Sequence, residues 1–336
     1  MRLLNTLAAG ALALAAAIPA QAADYTMTIA SWAPPTHGFN AKMWPRFIEM
    51  MEKATDGKVT GEVKLGLAPP PAMMDLVLDG AADMTIIFHG YNAGRFTTTK
   101  LIELPGFEGS AEDASVAYWR VFEKHLAAAN EHKGVKVFAV HTHGPAVVQT
   151  GAELSNGLAD MNGLKLRVPG GVASMMGEQL GAIGIQVPAP KVYETLASNA
   201  ADGVVMPIES HASFKLFEVA PNVISMPGGL YRGSFAMLMS MDTWDSLPAD
   251  VQEALESKVF GEPASRVFGQ VWDEADAAGR AAVAEGKFHE ATEADLKLLS
   301  KISQTVTTAV LEEISATGVD AAAAYDMIKS ELASMK

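Results

Sequence analysis

In the stretch YTMTIASWAPPTHGFNAKMWPRFIEMMEKATDGKVTGEVKLGLAPPPAMMDLVLDGAADMTIIF, residues 25–88, two residue periods take turns. Tyr25 to Ala30 reads as a strand closed by the Pro34-Pro35 turn. Phe39, Met43, Phe47, Ile48 and Met51 then recur at helical spacing and share one face. Asp56-Gly57 stops that helix, and Val59 to Leu65 alternates as a second strand. After Pro69-Pro70-Pro71 a short helix ends at Asp79-Gly80, and the wholly apolar Met84 to Phe88 makes a third strand. Strand, helix, strand, helix, strand is the order of a sheet with parallel pairs joined by helical crossovers. A helix near Asp113 to Asn130 and a strand from Val135 to Val140 extend the unit.

The alternation then starts again. Leu164 to Val168 reads as a strand, and Gly170-Gly171 opens a helix through Met176 and Leu180. Ile185 to Val187, a helix from Val192 and a strand from Gly203 to Met206 follow. Phe235 to Ser240 is strand-like, and beyond Leu247-Pro248 the chain is mostly helical. The fold class is therefore α/β, in two lobes with a ligand cleft between them. Residues 24–144 with about 233–272 are assigned to lobe I, and 145–232 with about 273–336 to lobe II. Clefts near the carboxyl ends of strands are where such folds bind small molecules.

The bulk numbers narrow the function. The chain has 336 residues, 39 acidic against 25 basic, and a formal charge of −14. No Lys/Arg-rich run occurs, so nothing points to nucleic acid or an anionic membrane as partner. An acidic protein repels anions at long range, so an anionic ligand needs a local cationic trap. Residues 1–23 read as a signal peptide: Arg2, an apolar run from Leu3 to Ile18, and the small-x-small Ala20-Gln21-Ala22. With no cysteine anywhere, the secreted domain relies on its own core rather than on disulfides or thiolate metal sites.

Arg167 is the first candidate for chemistry. It sits in Gly163-Leu-Lys-Leu-Arg-Val-Pro-Gly170, where alternation sets Lys165 and Arg167 opposite Leu164, Leu166 and Val168. A guanidinium matches a carboxylate with two parallel hydrogen bonds, but spacing alone favours an ordinary surface arginine. Trp32, Phe88, Tyr91 and Tyr231 each end or follow a strand near a turn. Core packing accounts for any one of them; together they suit an apolar or aromatic ligand body, or a cation held against their π faces. His37 and His89 also follow strands and are placed near the cleft, His89 as a further ligand-binding candidate, and His141 and His143 form an H-x-H pair on a strand end. Zinc needs three or four converging ligands, and no metal motif accompanies them. Neither a nucleophile elbow, a P-loop nor a dinucleotide fingerprint is present, so no metal, cofactor or catalytic residue is assigned. The rival enzyme reading is a periplasmic hydrolase using the histidines and a metal.

Several ordered segments resemble the DctP-type solute-binding proteins of tripartite ATP-independent periplasmic (TRAP) transporters. They are Thr55-Asp-Gly57, Leu78-Asp-Gly-Ala81 with Asp83, Leu104-Pro-Gly-Phe107, Asp160-Met-Asn-Gly-Leu-Lys-Leu-Arg-Val-Pro169, Val192-Tyr-Glu-Thr-Leu196, Asp202-Gly203 and Trp244-Asp-Ser-Leu-Pro248. The resemblance runs over nearly the whole chain after residue 23. It implies a monomeric, non-enzymatic periplasmic protein that closes over a small organic carboxylate and delivers it to a membrane permease, with Arg167 on the carboxylate. A sensory module presenting its ligand to a receptor is the other binding-protein reading. Three departures bear on the ligand. Met206 stands where the family often has asparagine, Ala146-Val-Val-Gln149 lies where many members carry a second arginine, and Gly261-Glu262-Pro263 interrupts a long helix, implying a kink or a break. The first two remove partners for a hydroxyl-rich sugar acid and favour a monocarboxylate with an apolar or aromatic body. Glu209, in Pro207-Ile-Glu-Ser210, allows a zwitterion instead, or merely answers a helix dipole.

Overall fold

The computed structural model describes residues 23–335; the expected signal peptide lies almost wholly outside them. Eleven strands occur among the described residues: β1 Tyr25–Ser31, β2 Val59–Leu65, β3 Met84–Phe88, β4 Val135–Thr142, β5 Ala146–Thr150, β6 Lys165–Val168, β7 Ile183–Gln186, β8 Gly203–Pro207, β9 Asn222–Ser225, β10 Ser234–Ser240 and β11 Phe288–Glu290. They form two mixed sheets, ordered β2-β1-β3-β10-β4 and β11-β9-β5-β8-β6-β7.

In the first sheet β1 runs parallel to β2 and β3, while β10 lies antiparallel between β3 and β4. In the second, β6 is parallel to β7 and β8, β5 is antiparallel to β8 and β9, and β11 is parallel to β9. Helical crossovers bury both faces of the inner strands, which is why β3 and β10 are buried at every position and read as apolar runs. Phe47, from the face anticipated for helix Trp44–Ala54, stacks on Phe138 at 4.9 Å, and Phe138 on Phe260 at 5.1 Å. Fully burying one such side chain contributes roughly 1.5–3 kcal/mol.

The chain passes between the sheets three times, at β4 to β5, at β9 to β10, and along helix Glu262–Ala281. The first two crossings run side by side: Ala146 N–H donates to Tyr231 O at 3.0 Å and Leu230 N–H to Ala146 O at 3.1 Å. Two neighbouring extended connections give a fold of this kind its hinge.

The sequence reading differs from the structure in three places, and at Pro263 the structure takes one of its two alternatives. Residues 113–130 were expected to form one helix, but the α-helix ends at Val121 and continues as a π turn, Phe122–Leu126, and a 3-10 turn, Ala127–Ala129. Strands β5, β9 and β11 were not anticipated, being short pieces without strong alternation. Pro263 produces a break rather than a kink. One helix ends at Lys258, Gly261 turns with φ +75°, and the next helix starts at Glu262 with Pro263 in its first turn, where a missing N–H is harmless. Finally, helix Ala321–Ser334, assigned to lobe II, packs on helices of lobe I. Glu331 pairs with Arg120 at 2.6 Å, and the Tyr325 ring lies 5.7 Å from Phe107.

Candidate functional site

A small cavity lies between the lobes, where folds of this kind bind small molecules. Strand ends converge on it: Trp32 follows β1, Phe88 ends β3, His143 follows β4, Arg167 lies near the end of β6, and Met206 and Pro207 end β8. Tyr91 reaches it from the 3-10 turn after β3, Tyr231 from the second crossing, Trp272 from the third.

Arg167 is 1% exposed, yet its guanidinium is only partly engaged. Nε donates to Val187 O at 2.8 Å, and Nη2 is buried with no partner. Among the described residues no carboxylate forms an ion pair with it. A buried cation lacking an anion is unfavourable by several kcal/mol until one arrives. Beside it, the Tyr91 hydroxyl accepts from Ala189 N–H at 2.8 Å. Burial raises the Tyr91 pKa, and Arg167 and that amide partly offset it.

Much of the remaining lining is aromatic. Phe88 packs 4.7 Å from Tyr91 and 5.1 Å from Phe235, Trp32 lies 5.9 Å from Tyr91, and Trp272 lies 5.4 Å from Phe235. Trp32 spends its N–H on Ile86 O at 3.0 Å, so only its ring faces the cavity. Met206 adds a soft apolar contact. Gln149, where a second arginine was missing, is buried outside the cavity, donating to Ser210 Oγ at 2.8 Å and joined to His211 Nδ1 at 2.9 Å.

Glu209 does line the cavity. Its side chain does not cap the short helix Ser210–Ser213. Its Oε2 is buried and unpartnered, 3.8 Å from His37 Nε2. Its backbone N–H donates to Asp276 Oδ1 at 3.1 Å. Burial first, and then the Glu209 charge, push Asp276 up to about 8.

The histidines do not assemble. His89, placed at the cleft by the sequence reading, does not line this cavity: its ring is joined to Ser234 Oγ at 2.7 Å and to His132 Nε2 at 2.8 Å. The turn His89–Tyr91 aims it away while Phe88 and Tyr91 face inward. His143 does line the cavity, its Nδ1 donating to Gly144 O at 2.6 Å and its Nε2 accepting from Gly233 N–H at 2.9 Å. His141 instead accepts from Trp272 Nε1 at 3.1 Å. Burial pushes both down to about 3, so both rings are neutral. Among the described residues no three His, Cys, Asp or Glu side chains gather as a metal site. The structure therefore brings Arg167, Trp32, Phe88, Tyr91, Tyr231, Met206 and Glu209 together and leaves His89 out. Phe214, Phe235 and Trp272 complete the wall and were not singled out beforehand. Phe235 opened a recognised strand beside a turn, the same signal that nominated Tyr231; Trp272 lies mid-helix and carried none.

The lobes meet tightly around the cavity. Val172 N–H of lobe II donates to the Glu103 carboxyl of lobe I at 2.9 Å. Gly170 has φ +110°, and a Cβ there would stand 2.1 Å from Gly90 O, so only glycine permits this approach. The conformation is thus one in which the two lobes touch beside the cavity.

Comparison with known proteins agrees with this architecture. The solute-binding protein of Bordetella bronchiseptica from a TRAP system, solved with (R)- and (S)-mandelate bound, is 34% identical, with TM-score 0.89 over 93% of this chain and 99% of that one. A TRAP solute-binding protein from Rhodoferax ferrireducens, solved with copurified benzoate, is 27% identical, with TM-score 0.84 over 92% and 98%. The outer membrane transporter protein TsaT of Comamonas testosteroni is 29% identical over 96% of each chain. The family model of bacterial extracellular solute-binding proteins, family 7 (DctP), matches residues 30–313. With its two-lobe fold and a family match over most of its length, this chain belongs to the DctP family, the non-enzymatic solute-binding proteins of TRAP transporters.

Proposed function

We propose that this protein captures a small monocarboxylate with an aromatic body in the periplasm and hands it to a TRAP-type membrane permease. The observation that carries this reading is the unpartnered Nη2 of Arg167, buried in a cavity whose walls are otherwise largely rings. A carboxylate seated there satisfies the guanidinium with charge-assisted hydrogen bonds worth about 1.5–3 kcal/mol each. Trp32, Phe88, Tyr91 and Phe235 cover its apolar remainder. The mandelates and benzoate bound to the Bordetella and Rhodoferax proteins support the same ligand class. A dicarboxylate or sugar acid would leave its second charge or most of its several hydroxyls against apolar walls, each unpaired polar group costing about 1–3 kcal/mol.

Ligand contacts from both lobes exist only in the closed form, so binding shifts an open–closed equilibrium towards closure. The closed form is then the one a permease would receive. A thermal-shift screen tests the ligand class, because a ligand at 100 times its dissociation constant stabilises by about 2.7 kcal/mol. Benzoate, phenylacetate or mandelate should raise the melting temperature, and succinate and gluconate should not. The reverse pattern refutes the proposal.

A further inference from the structure

Glu209 is 2% exposed and lines the same cavity as Arg167, yet the two do not pair. Each leaves one polar atom without a partner: Nη2 on the arginine and Oε2 on the glutamate. A ligand that is only a carboxylate on a hydrocarbon satisfies the first and buries the second unmet. The cavity therefore calls for a second polar group on its occupant.

His37 determines which group. Its Nδ1 accepts from Phe39 N–H at 3.2 Å, so in this arrangement the ring proton sits on Nε2. That Nε2–H lies beside Glu209 Oε2 at 3.8 Å, beyond hydrogen-bond reach. His37 is itself 2% exposed and lines the cavity. A donor and an acceptor separated by that distance match one oxygen that both accepts and donates. A hydroxyl does this, taking the His37 proton and giving its own to Glu209. An ammonium only donates, and would face the His37 N–H head-on.

Resting on the aromatic-acid reading, we infer that Glu209 and His37 form a hydroxyl-reading subsite, and that the preferred ligand is a hydroxylated aromatic monocarboxylate. Sites built to hydrogen-bond a hydroxyl discriminate strongly against analogues lacking it, because their own buried groups are then left unpaired. Glu209 is thus a specificity residue, distinct from the carboxylate anchor.

Calorimetry with two matched sets tests this: benzoate against 3- and 4-hydroxybenzoate, and phenylacetate against mandelate and phenylglycine. In the wild type at least one hydroxylated acid should bind 10-fold or more tightly than its parent, and phenylglycine should not outbind mandelate. Glu209→Leu should abolish the preference or invert it, since the buried carboxylate no longer needs an answer. Glu209→Gln, which keeps an acceptor and nearly the same shape, should reduce it; melting curves of both variants check that the fold persists. Parent acids binding as tightly as every hydroxylated partner, a preference unchanged in Glu209→Leu, or phenylglycine binding tightest would each overturn the subsite while leaving aromatic-acid binding intact. If no acid in either set binds, the aromatic-acid reading itself has failed, and the subsite with it.

Discussion

Among the described residues two arginines are almost fully buried, Arg167 at 1% exposure and Arg232 at 0%. Arg232 lies in the second crossing, just before β10, and its donors are consumed by the backbone. Nε donates to Phe107 O at 3.1 Å, Nη1 to His143 O at 3.3 Å, and Nη2 to Gly109 O. Asp273 and Asp276 oppose its charge, and burial draws its pKa down to about 10. Arg167 has one backbone acceptor and a free Nη2 facing a cavity. Burial is common to both; unmet donors are not. The difference separates a cation that ties the crossings together from one whose free donor is proposed to meet an anion.

The largest expected effect breaks the first half of that contrast. Arg232→Met leaves carbonyls of two loops unpaired and removes the charge facing Asp273 and Asp276, so it should lower unfolding stability by about 3–5 kcal/mol in denaturant melts. A loss below about 1 kcal/mol would mean the crossings do not depend on it.

The seam between the lobes supplies the next. Burial pushes Glu103 up to about 7, against the Val172 and Ser234 amides and Lys100, which pull it down. The folded protein thus keeps a proton that the unfolded chain has lost above its ordinary carboxyl value of 4.5. Stability should fall as pH rises from about 4.5 to 7, by on the order of 3 kcal/mol. Asp276, pushed up to about 8, adds a decline of the same sign. Glu103→Gln should reduce the slope of melting temperature between pH 5 and 8 without removing it. An unaltered slope would show that Glu103 titrates normally.

Within the cleft, Arg167→Lys keeps the charge and loses the planar fork. Affinity for an aromatic acid should drop about 10–100-fold with stability nearly unchanged. Equal affinity would reduce the anchor to a point charge. The smallest effect belongs to Tyr91→Phe, which leaves the Ala189 N–H without its acceptor across the lobes. Closure should lose about 1 kcal/mol, seen as roughly 5-fold weaker binding.

How much of this was legible beforehand follows from where each contact's partners lie in the chain. Arg167 could be nominated because a short strand of alternating residues fixes its side and its ordered neighbours resemble a family motif. Arg232 could not: its acceptors are main-chain carbonyls at 107, 109 and 143, and any residue type supplies a carbonyl. Trp32 and Phe88 were found from their positions at strand ends, and by the same rule His89 was misplaced, because one turn of 3-10 helix after β3 decides which way a ring points. Pro263 carried a local steric message and produced the break it implied. The docking of helix Ala321–Ser334 on lobe I depends on contacts such as Arg120–Glu331, far apart in sequence and without a motif.

The central claim is that a carboxylate completes the guanidinium of Arg167. Calorimetric titration of benzoate or mandelate into wild type and Arg167→Ala, with melting curves of both unliganded proteins, tests it most directly. The variant should bind at least about 30-fold more weakly, as expected when one partner of a buried charge pair is truncated, while melting no lower than wild type, because a buried charge without a partner has been removed. Wild-type affinity in Arg167→Ala would contradict the account.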